Sequence, residues 1–339
     1  MFNLRPAKLS DIEDLFVLSQ HYVFISLPSD KELITKKVKS SVKAFNKPSK
    51  DISEDTYIFV LEDLNKSKVI GCSMIHAQHG TEDEPHFYLT VSQENKFSES
   101  INTGFIHGTL KLGYDTNGPT EIGGLILDPN YRNNNQKLGK QLSFVRFLYM
   151  ALNKKGFKST IHSELMPPFD QDGRSPLWEA IGRRFLNMEY HDADLLSRSN
   201  KEFILSLYPS DTIYETLLPL EARNAIGKVG ADTQPVKRML ESIGFKYTKE
   251  VDPFDGGPHY RSELSQIKPV KELQSLELSF NQDIEKSDIK NYLVSLKDQD
   301  DFSAIKISGV IKSGKLLTSI KEVESLNFIN KSKIDAIPL

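Results

Sequence analysis

The residues with the clearest chemical potential form a polar loop between a predicted strand and a predicted helix. Residues 122–127 are an apolar run typical of a buried strand, and apolar residues at helical spacing run from Leu138 to Leu152. The loop between them, at 131–136, reads Tyr-Arg-Asn-Asn-Asn-Gln. The N–H groups of such a loop and the positive end of the helix point to one spot, where an anionic group, above all a phosphate, can be held. An ordinary strand–loop–helix unit has the same outline, so this stretch alone leaves both interpretations open.

Other familiar catalytic patterns are missing from the sequence. It has no Gly-x-Ser-x-Gly, no His-Glu-x-x-His, no Walker loop and no pair of cysteines. The single cysteine, Cys72, lies in an apolar run at 69–75, so we expect a buried structural thiol. His76 and His79 share a short segment, but no further ligands are suggested nearby, so no metal site is predicted.

The charge balance restricts the partners that the chain can have. Its 339 residues include 43 Lys and Arg against 46 Asp and Glu, a formal net charge of −3 at pH 7. This balance offers no general positive field to nucleic acid or to a membrane surface. Residues 1–11 have no apolar signal segment, and no stretch approaches the roughly 18 apolar residues of a membrane helix. We therefore expect a soluble, cytoplasmic protein without nucleic-acid or membrane partners.

The periodicity of the chain predicts alternating strands and helices. Strands are expected at 1–6, 57–62, 69–76, 85–89 and 159–165, and helices at 11–19, after 27–30, and at 175–185. Past about residue 265 the composition shifts toward Lys, Ser, Glu and Gln, with short strands expected at 292–296, 304–311 and 316–320. These features divide the chain into a domain at 1–264 and a small C-terminal β subdomain at 265–339.

The central stretch resembles motif A of the GNAT acyl-CoA N-acyltransferases, because Pro-x-Tyr-Arg at 129–132 precedes a Gly-containing loop and a helix. Further motifs, in order over nearly the whole chain, narrow the resemblance to the arginine N-succinyltransferase family. They are LDPxYR at 127–132, LSxxRF at 142–147, SE at 163–164, GxSPxW at 173–178, GRRF at 182–185, ADL at 193–195, IGxV at 226–229, TxP at 233–235 and FDGGP at 254–258.

The resemblance implies an α/β (α+β) fold with a GNAT-like mixed, mostly antiparallel sheet flanked by helices. It also implies an enzyme that transfers succinyl from succinyl-CoA to the α-amino group of arginine, or ornithine, in arginine catabolism, with no permanently bound cofactor. The backbone N–H of Leu125 is then expected to stabilise the oxyanion that forms from the thioester. The residues expected to hold the acyl-CoA are Leu125, Leu127, Arg132, Gln136, Gly139, Lys140, Gln141 and Leu142.

An arginine substrate needs acidic partners for its guanidinium and a cationic partner for its carboxylate. Glu164 and Asp255 are candidates for the first task, and Glu164 is also a candidate catalytic group. Arg174 is the candidate for the second task. Each of the three could equally form an ordinary ion pair on a loop or at a strand end.

Two departures from the family pattern bear on activity. The family places a histidine that protonates the leaving thiolate after Ile-Gly-x-Val, where this chain has Gly230. His259 is the candidate substitute for that acid. The phosphate loop is longer than the family pattern, with Gln141 where a small residue is wanted, so we expect a bulky side chain to crowd the pyrophosphate.

Two hypotheses follow from the sequence. The first is an acyl-CoA-dependent N-acyltransferase in which a neutral amine attacks the thioester directly. The alternative is a catalytically weak or inactive GNAT-like subunit that binds an active paralogue or senses a ligand, which would explain Gly230 and Gln141 together. Assembly with itself or with a paralogous subunit is left open.

Overall fold

A computed structural model describes residues 1–21, 27–197, 200–280, 288–297, 301–319 and 329–339. The strands in these ranges are β1 (Phe2–Pro6), β2 (Thr56–Asp63), β3 (Lys68–His76), β4 (His86–Ser98), β5 (Thr103–Asp115), β6 (Thr120–Leu127), β7 (Thr160–Glu164), β8 (Ile213–Tyr214), β9 (Lys246–Val251), β10 (Pro258–Glu263), β11 (Gln274–Phe280), β12 (Lys290–Leu296), β13 (Ala304–Lys312), β14 (Lys315–Thr318) and β15 (Lys333–Pro338). The helices are α1 (Ile12–Ser19), α2 (Lys31–Asn46), α3 (Leu138–Leu152), α4 (Pro176–Ala180), α5 (Gly182–Leu186), α6 (Tyr190–Ser197), α7 (Glu202–Leu207), α8 (Leu220–Ala225), α9 (Gln234–Ser242) and α10 (Lys268–Lys271).

The chain forms two compact units, each assembled from separate stretches of sequence. Unit 1 comprises Met1–Ala77, Ile122–Ser159 and Glu263–Leu339, and unit 2 comprises Gln78–Glu121 and Thr160–Ser262. In unit 1 the strand order is β12-β15-β11-β14-β13-β1-β2-β3-β6. The first two residues of β6 belong to unit 2, where the strand order continues from them as β7-β10-β9-β4-β5-β8.

The C-terminal residues belong to unit 1, where β13 pairs with β1 through Ala304 and Leu4. This division differs from a single cut near residue 265, and a separate C-terminal subdomain stays a prediction. The strands expected at 292–296 and 304–311 are confirmed as β12 and β13. The strand expected at 316–320 corresponds to β14, and residue 320 lies outside the described residues.

The predicted fold class is confirmed, because the sheet of each unit is mixed and mostly antiparallel. Parallel pairing joins β6 to β7 and β11 to β14. The expected hairpin of β2 and β3 is antiparallel, with Val60 opposite Cys72. The strand expected at 85–89 is the start of a longer hairpin, in which β4 and β5 pair from His86 and Asp115 to Ser98 and Thr103.

Alternation along β2 supplies unit 1 with apolar side chains on both faces of the sheet. Ile58 and Val60 pack in one cluster with residues of α1 and α2, namely Leu15, Leu18, Ile34 and Val38. Phe59, which has the opposite parity, contacts Tyr149 of α3 with its ring centroid 5.3 Å away. Helices are therefore needed on each face, and α3 starts where the polar loop ends.

Unit 2 has its own core around Trp178, which is fully buried, as the sequence predicts. Its indole N–H donates to the carbonyl of Met188 at 3.0 Å, which satisfies the one polar atom of the ring. Within the described ranges, neither unit has a helix with the length and apolar character that crossing a bilayer requires.

Cys72 is fully buried on β3, and burial raises the pKa of its thiol to about 12. We predict that the native protein will not react with a thiol reagent at pH 8, because the sulfur is both protonated and inaccessible. The measurement is the absorbance change with Ellman's reagent, with the protein in guanidinium chloride as the control that reveals the thiol. Rapid reaction of the native protein would contradict this burial.

Candidate functional site

Strand β6 bends at Gly124, within the stretch expected to line the thioester. Gly124 has a φ of +56°, and a Cβ there would lie 2.9 Å from Met74 Cγ. Glycine adopts a positive φ without strain, and it has no Cβ to clash with Met74. A bend of this kind re-aims the backbone groups that follow it. The next residue is the half-buried Leu125, the expected oxyanion donor.

Arg146, fully buried on α3, supports the bend. Its Nη1 donates to the carbonyl of Gly123 at 3.1 Å, and its other groups donate to the carbonyl and hydroxyl of Ser143. Burial lowers the pKa of Arg146 to about 9, since these partners are neutral. The guanidinium therefore ties α3 to β6 immediately before Gly124.

The loop ends in a left-handed residue that starts α3. Lys137 has a φ of +53°, and its carbonyl accepts from the N–H groups of Lys140 and Gln141 at 3.0 and 3.2 Å. The N–H groups of Leu138 and Gly139 precede these bonds and point out of the helix end. The nearest atom to a Cβ at Gly139 would be Leu127 Cδ2, at 4.0 Å, so packing does not require glycine there.

Side-chain hydrogen bonds shape the rest of the loop. Asn134 Oδ1 accepts from the N–H of Gln136, and the Gln136 carbonyl accepts from Gln141 Nε2 at 2.8 Å. Gln141 is 2% exposed, so its side chain is turned into the protein and holds the loop. Its size is thereby accommodated in a way that the residue type alone does not indicate.

The loop carries a local excess of positive charge. Burial, together with Lys137 and Lys268, lowers the pKa of Lys140. Lys306 donates to Gln136 Oε1 at 2.7 Å, so a lysine of the C-terminal stretch also lies at the loop. An anion would offset this crowding of like charges.

The other acyl-CoA residues predicted in unit 1 differ in exposure. Leu127 and Leu142 are buried, so their side chains belong to the core. The carbonyl of Leu142 accepts from Ser73 Oγ at 2.8 Å, which fixes α3 on β3. Arg132 is exposed at the end of the turn that precedes the loop.

In unit 2, Glu164 at the end of β7 lies among three buried histidines. Its Oε1 is 3.4 Å from His162 Nε2 and 3.6 Å from His259 Nε2. The same oxygen is 3.7 Å from His86 Nδ1. Burial and then Glu121 raise the pKa of Glu164 well above its usual range. His259 is thus a buried residue of β10 and part of this cluster.

The segments that contain Arg174 and Asp255 are linked by Ser175, whose hydroxyl donates to the carbonyl of Phe254 at 2.9 Å. Asp255 Oδ1 accepts from the N–H of Gly257 at 2.7 Å. Burial and then the neighbouring Asp252 raise the pKa of Asp255 well above its usual range. The side chain of Arg174 is exposed on the loop before α4. The assigned substrate roles of Glu164, Asp255 and Arg174 stay predictions.

Gly230 stands where the resemblance calls for a histidine, and its surroundings leave no room for a side chain. Its N–H donates to the carbonyl of Met166 at 2.9 Å, and a Cβ would lie 2.9 Å from the carbonyl oxygen of Pro167. Restoring a histidine here would therefore require the main chain to move.

Sequence reasoning missed His86 and His162 as members of a site. The available signal was the spacing of His162 and Glu164, which are two residues apart on a predicted strand and share one of its faces. His86 and His259 come from distant stretches, and the strand order β7-β10-β9-β4 brings them to the same region of unit 2.

Comparisons with known proteins agree with this architecture. The family described as arginine N-succinyltransferase beta subunit matches residues 2–269. Arginine N-succinyltransferase of Yersinia pseudotuberculosis is 33% identical over 334 residues, covering 96% of this chain and 94% of the relative. The subunit beta of the Pseudomonas aeruginosa enzyme is 31% identical, covering 99% and 98%. The structure of arginine/ornithine succinyltransferase subunit AI from Pseudomonas aeruginosa matches with a TM-score of 0.84, 25% identity and coverage of 100% and 98%.

We predict that replacing Gly230 by alanine or histidine will lower the free energy of unfolding by about 1–3 kcal/mol, because the added Cβ meets a carbonyl oxygen. Urea denaturation followed by tryptophan fluorescence measures the change. Gly156→Ala is the matched control: its Cβ would meet open space among the described residues, so we expect a change within about 0.5 kcal/mol. A Gly230→His variant as stable as the parent would contradict the packing described above.

Proposed function

Because this chain belongs to the arginine N-succinyltransferase family, we propose that it transfers succinyl from succinyl-CoA to the α-amino group of arginine or ornithine. The family makes the chain an N-acyltransferase with an acyl-CoA as co-substrate. The identities of the acyl group and the amino acid are the proposal. The names of the relatives given above specify arginine, or arginine and ornithine, as the amino acid on which those proteins act.

The acyl-CoA part of the proposal rests on the backbone geometry and the positive charge at the start of α3. The N–H groups of Leu138 and Gly139 leave the helix at the point where Lys137 and Lys140 concentrate positive charge. A pyrophosphate satisfies both features, since it accepts backbone hydrogen bonds and carries negative charge. Lys268 adds to the same field.

In the proposed reaction the neutral α-amine attacks the carbonyl carbon of the thioester. The carbonyl oxygen becomes an oxyanion that accepts from the N–H of Leu125, beyond the bend of β6. The tetrahedral intermediate then releases the thiolate of coenzyme A as the C–S bond breaks, and the new amide nitrogen loses one proton. The thiolate takes up one proton, and the assignment of His259 as its donor stays a prediction. No covalent intermediate with the enzyme is needed.

The acidic surroundings of Glu164 and Asp255 support a cationic amino acid as the acceptor. Both carboxyl groups have raised pKa values because they are partly buried and lie near other carboxylates. A guanidinium would offset that repulsion and could bind a carboxylate through two parallel hydrogen bonds. Arg174 is the proposed partner of the substrate carboxylate.

The test is release of the coenzyme A thiol from succinyl-CoA in the presence of arginine, with ornithine and acetyl-CoA as alternative substrates. We expect arginine-dependent release with succinyl-CoA, and no release with any basic amino acid would refute the proposal.

Lys140→Ala should raise KM for succinyl-CoA about tenfold or more, because a contact to a charged group is lost. Lys154→Ala, two residues beyond the C-terminal end of α3, is the matched control and should leave KM unchanged.

We also propose that the chain works as a subunit of an oligomer, as the names of its relatives indicate for those proteins. The end of the β4–β5 hairpin supports this, since four large apolar side chains there are 62–69% exposed: Phe97, Ile101, Phe105 and Ile106. Large apolar side chains that are exposed together at one end of a hairpin are typical of an interface between proteins. The partner in this proposal is another succinyltransferase chain, either a second copy or a paralogous subunit.

We predict that Phe97→Ser combined with Phe105→Ser will reduce the molar mass of the purified assembly measured by light scattering. The reason is that the variant loses apolar area that the interface would bury. Leu207→Ser, an exposed leucine of unit 2 outside the hairpin, should leave the mass unchanged. An unchanged mass in the double variant, or a monomeric parent, would contradict the proposed interface.

A further inference from the structure

We propose that His86, His162, His259 and Glu164 bind a divalent transition-metal ion of the zinc type within unit 2. This site goes beyond the acyl transfer proposed above and departs from the sequence-based expectation of no metal. One potential ligand atom from each of the four side chains lies within 4.8 Å of the others. Imidazole nitrogens and carboxylate oxygens are ligands that zinc uses in proteins.

The spacing of the ligand atoms suits a single ion. Donors about 2.1 Å from a tetrahedral zinc lie roughly 3.4 Å apart. Glu164 Oε1 is 3.4–3.7 Å from a ring nitrogen of each histidine, a range that contains this spacing. The imidazole rings are also close to one another, with centroid separations of 4.7 Å between His162 and His259 and 4.9 Å between His86 and His162. This spacing fits a single ion.

Two of the three histidines have buried ring nitrogens without a hydrogen-bond partner among the described residues. His86 Nε2 and both ring nitrogens of His259 are buried and have no hydrogen-bond partner among the described residues. His86 is 2% exposed, and His162 and His259 are fully buried. Leaving such polar atoms without partners costs free energy, and coordination to a metal would recover that cost for the nitrogen that binds, such as His259 Nε2, which faces Glu164.

A carboxylate supports one of the three rings from behind. His259 Nδ1 faces Glu250 Oε2 at 3.8 Å, on the side of the ring away from Glu164. A carboxylate behind a histidine is the usual outer support of a zinc ligand.

One existing contact must change when the ion binds. His162 Nδ1 accepts from Arg261 Nε at 3.2 Å, which in the neutral ring places the proton on Nε2, the atom that faces Glu164. Binding through Nε2 therefore requires that hydrogen bond to break. Arg261 retains Glu250 at 3.1 Å as a partner. We accordingly expect His162 to contribute less to affinity than His86 or His259.

The bound ion would connect three strands, because its ligands lie on β4, β7 and β10. Four protein ligands without an open position are typical of a structural zinc site. The side chain of Glu164 is 32% exposed, which gives the ion a route to the site from solvent. A carboxylate that binds the metal is not free for a guanidinium, so the recognition of arginine would then fall to Asp255. A His259 that binds the metal is likewise not the proton donor to the thiolate, so the metal site replaces that predicted role.

The test is the metal content of the full chain, purified without a histidine tag and measured by inductively coupled plasma mass spectrometry. We expect about one zinc per chain after dialysis against buffer with zinc and then without it. Replacement by Co²⁺ should give the intense visible bands of a tetrahedral N₃O site in the parent protein, so this result depends on no variant. A metal content near zero after such loading, or the absence of those bands, would overturn the proposal.

Single substitutions of the four proposed ligands test where the ion binds. His86→Gln, His259→Gln and Glu164→Gln should each lose most of the bound metal, and His162→Gln should lose less. His107→Gln is the matched control, since His107 lies in unit 2 on β5 and hydrogen-bonds to Thr216. Equal metal loss in the control and the other variants would refute this location. The measurement needs no substrate, so its failure is distinguishable from a failure to acylate arginine.

Discussion

The buried guanidinium of Arg146 is the constraint on which the proposed acyl-CoA site depends. A charge removed from water is costly unless it is hydrogen-bonded. Arg146 donates three hydrogen bonds, to the carbonyl of Gly123 and to the carbonyl and hydroxyl of Ser143, so β6 and α3 have to keep one relative position. The bend at Gly124 and the helix end at Leu138 are thereby held in one rigid arrangement. In the proposed reaction, the first presents the backbone to a thioester carbonyl and the second presents it to a phosphate.

The sequence predicted this strand–loop–helix well because each part has a local cause. The apolar run before Asp128 and the helical spacing after Leu138 depend on neighbours in the chain. The orientation of Gln141 was not predicted. A long polar side chain at a helix start points to steric crowding, whereas in the structure this side chain turns inward and donates to the carbonyl of Gln136, five residues earlier. The contact between Gly230 and Pro167 is likewise invisible without the fold.

Other features were beyond sequence reasoning for reasons of topology. The far half of the β4–β5 hairpin is largely exposed, so its strands lack the alternation that reveals a half-buried strand. Unit 1 combines three separated stretches, whereas composition can suggest only a cut along the chain. The histidines around Glu164 come from three strands, and only the strand order shows that they meet. Pattern searches for metal ligands look for short spacings and cannot find such a set.

The acyl-CoA site is the central claim, and calorimetric titration of succinyl-CoA into the purified 339-residue chain tests it most directly. The account predicts saturable binding to one site, with a Kd between about 1 μM and 1 mM, in the range usual for enzyme substrates. Acetyl-CoA, which has the same pyrophosphate, should compete for that site. Absence of binding by both thioesters would contradict the assignment of the loop before α3 and of the bend in β6.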